Sequence, residues 1–534
     1  MIYKVTNEKE LFENPEYHIV SVEESLNLIK NEKILQLDTE TTGLDPHICK
    51  CLSLQLGTID KSIQLVIDAT TIDITLYKNK IENSLIIGQN LKFDIKIMFK
   101  YGIIIRNCYD TMIVEQLLYL GFPSFMVGAN EDIIMSYCET VENCDNWEDM
   151  NSKQKSAYLE YYNPIVSDFI KNHSGVSLKA LCHRYLNIEM SKEVRGQIIW
   201  RGLDTEVIKY AALDVTYIYD IMCKQINLLN QKGLIKAAKI ECDFIPSCAY
   251  YEWCGIHMNV SLWQEKMRKD EEKMNIALQK LNEFVINFGN PKFYTINTEG
   301  NLWTGFDTTP KCNINWNSPK QVIPFLTLLG FNCKGIDKKT KEEKDSLDAI
   351  VLKKQKDVNP EFYEIYLAYS EAKKVCSTYS QNYLNAINPI TNRIHTVFRQ
   401  LGTDTGRLAC GSQQQNNDLA KLKGLPIGKQ KDTNKKCAYP QVQNLPADEI
   451  TRASFCAEKG NTWISCDYKG EESVLMADLS QDEAMLNVFL KGEDMHSTVA
   501  YLVFPNDIPR DTPIKEIKSK YKHLRQLAKN PEFN

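Results

Sequence analysis

Five side chains in the first part of the chain have the types and spacing for phosphodiester chemistry. Asp38 and Glu40 lie in ILQLDTETTGL, Asp94 in NLKFD, and Tyr210 with Asp214 in YAALD. Four carboxylates and a phenol in that order suggest two-metal hydrolysis. Carboxylates are the hard oxygen ligands that Mg²⁺ or Mn²⁺ prefers, and paired cations a few Å apart clamp the attacking and leaving oxygens. Side chains two apart on a strand point the same way, so Asp38 and Glu40 can reach one metal. Tyr210 and Asp214, four apart on a helix, share a face, and the phenol can orient an attacking water beside its carboxylate. Taken singly, a DxE in a strand reads as surface charge and a YxxxD in a helix as chance spacing. Their order carries the reading, which is a nuclease.

These groups need a scaffold. From 33 to 70 the pattern is strand-like: Leu52, Leu54 and Leu56 alternate with Ser53 and Gln55, and SIQLVID follows a polar break. That predicts an antiparallel meander. Helical stretches are expected around 91–101, 110–120, 177–186 and 204–230, so strands precede helices as in an α/β nuclease domain. Residues 125–176 are polar and acidic without clear periodicity, which reads as an insertion. A second unit begins near 232. It has a charged helix over 261–288, a polar irregular stretch over 290–345, a helical pair through 359–387, and a turn-rich region at Gly402, Gly406 and Gly411. TWISCDY at 462–468 reads as a short apolar strand ending in an acid, and Ser480 with Glu483 as a capping box.

The 534 residues, 43% hydrophobic and 25% charged, suffice for two or more domains with sizeable cores. No run of about 18 apolar residues could span a bilayer. The start, MIYKVTNEKELFENPEYH, has charges where a targeting segment would be apolar, so a cytoplasmic location is expected, the host's if the protein is viral. The 17 cysteines are odd in number and lack paired CxxC spacing, which predicts reduced thiols. A formal charge of −6 argues against nucleic acid as a partner, yet positive charge is concentrated locally. Lys421, Lys423, Lys429, Lys431, Lys435 and Lys436 face only Asp432, as a solvated loop or as one that touches DNA backbone.

Residues 20–230 resemble the DEDD 3′→5′ exonucleases, in their tyrosine-bearing branch. The resemblance rests on DTETTGL, IGQNLKFD, the CYDTM segment around Asp110, SLKALCHRYL and YAALDV. It implies that Asp38, Glu40, Asp94 and Asp214 hold two Mg²⁺ or Mn²⁺ ions, that Tyr210 positions the water, and that Asp110 orders the fold. Gln89 stands where many relatives carry His; it keeps hydrogen bonding but cannot titrate.

Residues 232–534 resemble family A DNA polymerases, on RIHTVF at 393–398, TGRL at 405–408, QNLP at 443–446 and CDYKGEESVLMADLSQDE from Cys466. By that resemblance Asp467, at the end of a palm strand, and the Tyr468 carbonyl hold metal. Glu472 excludes a ribose 2′-OH. Arg407 contacts the primer end from the minor groove, Gln443 and Asn444 meet the template-primer, and His496 lies near the incoming triphosphate. Arg525, Lys529 and Phe533, at i, i+4 and i+8, match the start of the fingers helix that binds triphosphate and stacks on the base, although Pro531 would kink it. Lys469, Gly470 and Glu471 depart from the family's usual motif, and an insertion separates Arg407 from Gln443.

The resemblances together imply an α/β chain: an RNase H-like 3′→5′ exonuclease domain over 1–230, with an insertion at 125–176; the palm start and a mostly helical thumb over 231–390; and a partial palm with the start of the fingers over 391–534. The expected partners are DNA primer-template, single-stranded 3′ ends and dNTPs, with no membrane. Each active site would use two Mg²⁺ or Mn²⁺ ions. No second palm carboxylate follows, so polymerisation is expected only when the remaining region is supplied. A second polypeptide, an intein or intron, or a reassigned stop codon would account for this. Lys, Asn and Ile richness suits an AT-rich genome such as a bacteriophage's. Two other readings are a stand-alone exonuclease whose C-terminal half positions DNA, and a non-catalytic DNA-binding subunit of a split polymerase.

Overall fold

The computed structural model describes residues 1–534 apart from 9–13, 145, 148–149, 151, 191–193, 195, 297–299, 302–304, 307–308, 337–342, 348, 469 and 530–534. These fall into two compact units, Met1–Cys456 and Ala457–Asn534. Among the described residues no helix is long and apolar enough to cross a membrane.

The first unit is built on a seven-stranded sheet of β1 (Ile2–Val5), β2 (His18–Val20), β3 (Ile34–Thr41), β4 (Cys51–Gly57), β5 (Gln64–Asp68), β6 (Leu85–Gly88) and β7 (Cys108–Asp110), in the order β2-β1-β5-β4-β3-β6-β7. The expected meander is its centre: β3, β4 and β5 pair antiparallel. Parallel strands flank it on both sides. These outer strands have three or four residues each, too few for an alternating pattern to stand out in the sequence. Leu35, Leu37, Leu54, Leu56, Leu65 and Ile67 are fully buried in the sheet's core, each contributing about 1.5–3 kcal/mol. The buried Gln36 amide is satisfied at both ends: it donates to the Thr58 carbonyl at 2.9 Å and accepts from the Tyr219 amide at 3.0 Å.

Helices Lys92–Lys100, Thr111–Leu118, Leu178–Leu186, Thr205–Asp214 and Ile218–Gln231 stand where helical stretches were expected. Segment 125–176 is more ordered than its composition suggested. Helices Glu131–Glu142, Ser152–Tyr162 and Pro164–Asp168 close around Cys144, Trp147, Leu159 and Val166. Periodicity is faint because helix Ser152–Tyr162 buries only Leu159. Arg184 holds this segment down. It pairs with the buried Glu115 and donates to the carbonyls of Val127, His173 and Gly175 at 3.1, 3.1 and 2.9 Å.

Helix Ile235–Cys254 buries Ala238, Cys242, Ile245 and Ala249 in the core of the sheet. Near its end, Glu252 binds Lys92 at 2.7 Å and Lys96 at 2.5 Å and accepts the Phe398 amide at 2.7 Å. Helix Lys92–Lys100 is thereby joined to the RIHTVF segment. Beyond it, the long helix Val260–Phe288 packs with Pro319–Leu328 and Pro360–Thr378 around Leu281, Val285, Phe325 and Phe362. The irregular stretch also carries short hairpins, such as Tyr294–Ile296 with Pro310–Cys312.

The second unit consists of helices Glu471–Ser480, Glu483–Leu490, Met495–Val503, Ile514–Lys520 and Lys522–Leu527. Two local expectations are corrected here. Residues 462–468 form no strand and are exposed; no described strand pairs with them, so nothing completes a ladder along their backbone. The capping box is absent as well. Ser480 ends one helix, the left-handed Gln481 (φ 54°) breaks the chain direction, and Asp482 caps the next by accepting the Met485 amide at 2.8 Å.

Candidate active site

β3 runs beyond its last parallel pairing with β6, at Gln36 opposite Ile87, and its carboxyl end carries Asp38 and Glu40. The register with β4 shifts between Glu40 and Thr41, a bulge of the kind that re-aims side chains beside active sites. Helix Thr205–Asp214 brings Tyr210 and Asp214 to the same place. Carboxylate oxygens of Asp38, Glu40 and Asp214 lie within 4.8 Å of one another. Asp94, in the first turn of Lys92–Lys100, is buried and accepts the Thr39 hydroxyl at 2.5 Å. All five residues line one cavity of about 620 Å³.

The electrostatics of this cavity favour a cation. Burial is the largest influence on Asp38, and the charges of Asp94, Asp214 and Glu40 add to it, so its carboxyl stands well above the usual range. Burial likewise pushes Asp94 up to about 8 against the opposing hydrogen bond from Thr39. Clustered acids in a desolvated wall cannot all ionise unless positive charge joins them. An all-oxygen carboxylate set suits divalent Mg²⁺ or Mn²⁺, so these residues fit the ions the sequence implied.

The surrounding residues hold the wall in shape. Asp110, fully buried, accepts the amides of Asn90, Leu91, Met112 and Ile113, which gives it the ordering role expected of it. Gln89 accepts the Thr111 hydroxyl at 2.5 Å and donates to the Val176 carbonyl at 2.6 Å, both as a neutral amide. Thr39 went unnoticed in the sequence. It lines the same cavity, and its bond to Asp94, 55 residues away in sequence, is revealed only by the packed helix.

In the polymerase-like part of the first unit, Gly402–Arg407 forms a closed turn. The Gly402 amide bonds the Arg407 carbonyl at 3.1 Å, and the Arg407 amide bonds the Thr403 hydroxyl at 2.9 Å. Gly406 sits at φ 80°, a conformation that favours glycine. Gln443 donates to the Leu408 carbonyl at 3.2 Å, and the Asn444 carbonyl accepts Tyr379 at 2.5 Å, so Arg407, Gln443 and Asn444 form one neighbourhood. Within the lysine run the roles differ. Lys423 is turned inward and donates to the carbonyls of Leu384, Asn385 and Ile387, while Lys421, Lys429, Lys431 and Lys435 are exposed.

In the second unit Asp467 and Tyr468 are exposed on the irregular stretch, and Glu472 lies in the first turn of Glu471–Ser480. His496 begins helix Met495–Val503, whose cap Asp494 takes a two-pronged ion pair from Arg525 at 2.7 and 2.9 Å. Arg525 and His496 are thus brought together. The Arg525 guanidinium holds the Asp494 carboxyl far below the usual carboxylate range. Helix Lys522–Leu527 carries Arg525, Ala528 forms a turn, and Lys529 is again helical; Phe533 lies outside the described residues.

Two family models match separate parts of the chain. Residues 17–229 match the family model described as "3'-5' exonuclease", and residues 304–533 match "DNA polymerase family A". DNA polymerase I of Borreliella burgdorferi is 24% identical over 96% of this chain, and that of Aquifex aeolicus is 25% identical over 96%. The chain spans 46% of the length of the first relative and 70% of the second. The Caldicellulosiruptor bescii DNA polymerase I is 34% identical over 39% of this chain and 21% of its own. A solved structure described as the POL domain of Pol1 from M. smegmatis, in complex with DNA primer-template and dNTP, shares the fold. Its TM-score is 0.62 at 18% identity, over 98% of this chain and 70% of that one.

Proposed function

Because the chain belongs to the family A DNA polymerases and carries their 3′-5′ exonuclease domain, we propose that it removes nucleotides from frayed 3′ ends of DNA. The observation that carries this reading is the convergence of Asp38, Glu40 and Asp214 within 4.8 Å, in the cavity that Asp94 and Tyr210 also line. Asp38, Glu40, Asp94 and Asp214 would hold two Mg²⁺ or Mn²⁺ ions. Such ions would supply activation of a water and stabilisation of charge on the attacking and leaving oxygens. The Tyr210 phenol orients that water beside Asp214, and Thr39 keeps Asp94 aimed at the cavity. An unpaired terminus suits the site because it reaches the carboxylates with the least unstacking.

The other half supplies the DNA-synthesis part of the same reading. Arg407, Gln443 and Asn444 would contact primer-template. Asp467 and Tyr468 would bind the polymerase metal, with Glu472 selecting dNTP over rNTP. His496, Arg525, Lys529 and Phe533 would surround the triphosphate. Supporting this is the bond between Gln443 and the Leu408 carbonyl, and the shared neighbourhood of Arg525 and His496.

The experiment is incubation of the chain with Mg²⁺ and a primer mismatched at its 3′ end. Release of nucleoside monophosphates that Asp214→Ala abolishes supports the reading. Tight binding without digestion would instead make the chain a DNA-positioning subunit.

A further inference from the structure

Among the described residues that line the acidic cavity, Lys179 is the only lysine or arginine. It lies in the first turn of helix Leu178–Leu186, which is fixed in place by its buried Ala180, Leu181 and Cys182. Glu189 Oε2 is 3.8 Å from Lys179 Nζ, too long for a hydrogen bond. Both side chains are partly exposed, at 38% and 63%, and an ion pair of that kind contributes little. Glu189 has a second neighbour in His183, whose Nε2 is 3.4 Å from Oε1. The pair with Glu189 is therefore a loose one.

Charge gives this ammonium a purpose. Asp38, Glu40, Asp94 and Asp214 supply four acids, which two divalent cations would offset and no more. A strand that enters the cavity adds one negative charge for each phosphodiester, and those groups leave it unanswered. Lys92 and Lys96, on the helix that carries Asp94, are already engaged by Glu252. Lys179 remains. A lysine ammonium is a compact charge with three rotatable donors on a flexible stem, which suits a phosphate oxygen that shifts as the strand advances.

We propose that Lys179 grips a phosphate oxygen of the single strand whose 3′ end occupies the acidic cavity, and that Glu189 keeps the ammonium at the wall until the strand arrives. This deepens the nuclease reading and rests on it. A backbone contact carries no sequence information, so the grip would serve any terminal base. If Lys179 and Glu189 formed only a brace between the helix and the segment after it, removing either partner would have the same effect. The phosphate grip makes the two partners differ.

The test uses the full chain with Asp38→Asn and Asp214→Asn, so that a strand is bound and not digested. The probe is an oligothymidylate ending in 2-aminopurine, whose fluorescence reports seating of its 3′ terminus and ignores binding elsewhere on the chain. Salt is varied, and each of the three 3′-terminal linkages is replaced in turn by an uncharged methylphosphonate. Lys179→Gln should weaken the natural strand about tenfold, as loss of one charge-assisted bond implies. The slope of log K against log salt should become shallower by about 0.7, the share of one single-strand phosphate. On one methylphosphonate strand Lys179→Gln should cost nothing further, which identifies the phosphate that is gripped. Lys179→Arg should bind as the parent does, and Glu189→Gln at least as tightly. Lys179→Met is made in parallel, and circular dichroism checks the fold of each variant. Parent-like binding by the folded uncharged variants, an equal loss in Glu189→Gln, or a penalty that persists on all three methylphosphonate strands overturns the proposal. The nuclease reading fails separately, if the chain with its acids intact releases no nucleoside monophosphate in Mg²⁺.

Discussion

Asp418, in the polymerase-like half, accepts the amide of Leu44, just past the nuclease strand, at 2.7 Å; the same oxygen takes the Asp45 amide at 2.9 Å. Asn416 adds a bond to Asp45 Oδ2 at 3.0 Å. A Cβ on Gly43 would stand 2.6 Å from Asp418 Oδ2, so the close approach depends on glycine. Gly43 and Leu44 line the cavity that holds the acidic set. The insertion between Arg407 and Gln443 therefore begins as a brace on the exonuclease.

Asp418→Ala should lower exonuclease kcat/KM severalfold while leaving the metal carboxylates intact. A hydrogen bond to a charged group contributes about 1.5–3 kcal/mol, and two amides lose theirs together. Gly43→Ala should act in the same direction. Steady-state digestion of a labelled single strand checks both, and wild-type kinetics in both variants would show the brace to be irrelevant.

Thr39→Val removes the hydroxyl that opposes the rise in the Asp94 pKa. The carboxyl, already pushed up to about 8 by burial, should rise further, so protons compete better with cations. The Mg²⁺ concentration for half-maximal digestion should increase about tenfold, as the loss of one charge-assisted bond implies. The pH optimum should move upward. A Mg²⁺ titration at two pH values measures both effects.

Arg184→Met leaves the fully buried Glu115 without its cation, held only by the Tyr185 hydroxyl and the Gln225 amide. Breaking a buried pair on one side costs about 3–5 kcal/mol. Urea unfolding should show a loss of that order, and the double variant with Glu115→Gln should recover part of it. Equal stability of the two variants would contradict the role given to the pair.

Acid should loosen the contact between His47 and the helix Ile235–Cys254. The His47 ring stacks on Trp253 at 4.1 Å and lies 4.1 Å from His395; burial, then the His395 charge, pushes it down to about 4. Unfolded histidine titrates near 6.5, so between roughly that pH and 4 the unfolded chain binds a proton the folded chain excludes. Stability is present above pH 6.5 and falls as pH drops toward 4. His395, also lowered by burial, adds to the same slope. The melting temperature of His47→Gln should depend less on pH across this window.

The acidic set was legible because each acid keeps its spacing on a regular element: two apart on β3, four apart on the helix ending at Asp214. Thr39 and Asp418 were not, since their partners lie 55 and 374 residues away in sequence, and no local pattern announces such bonds. The short flanking strands were invisible for a different reason, having too few residues to show a period. The expected strand at 462–468 failed because apolar alternation predicts a strand only where a neighbour completes its ladder.

Anomalous diffraction from Mn²⁺-soaked crystals tests the central claim most directly. Two peaks about 3.5–4 Å apart, as two-metal sites require, should lie between Asp38, Glu40, Asp94 and Asp214, and both should vanish in Asp38→Ala crystals. A cavity without manganese, or ions held only elsewhere, would contradict the account.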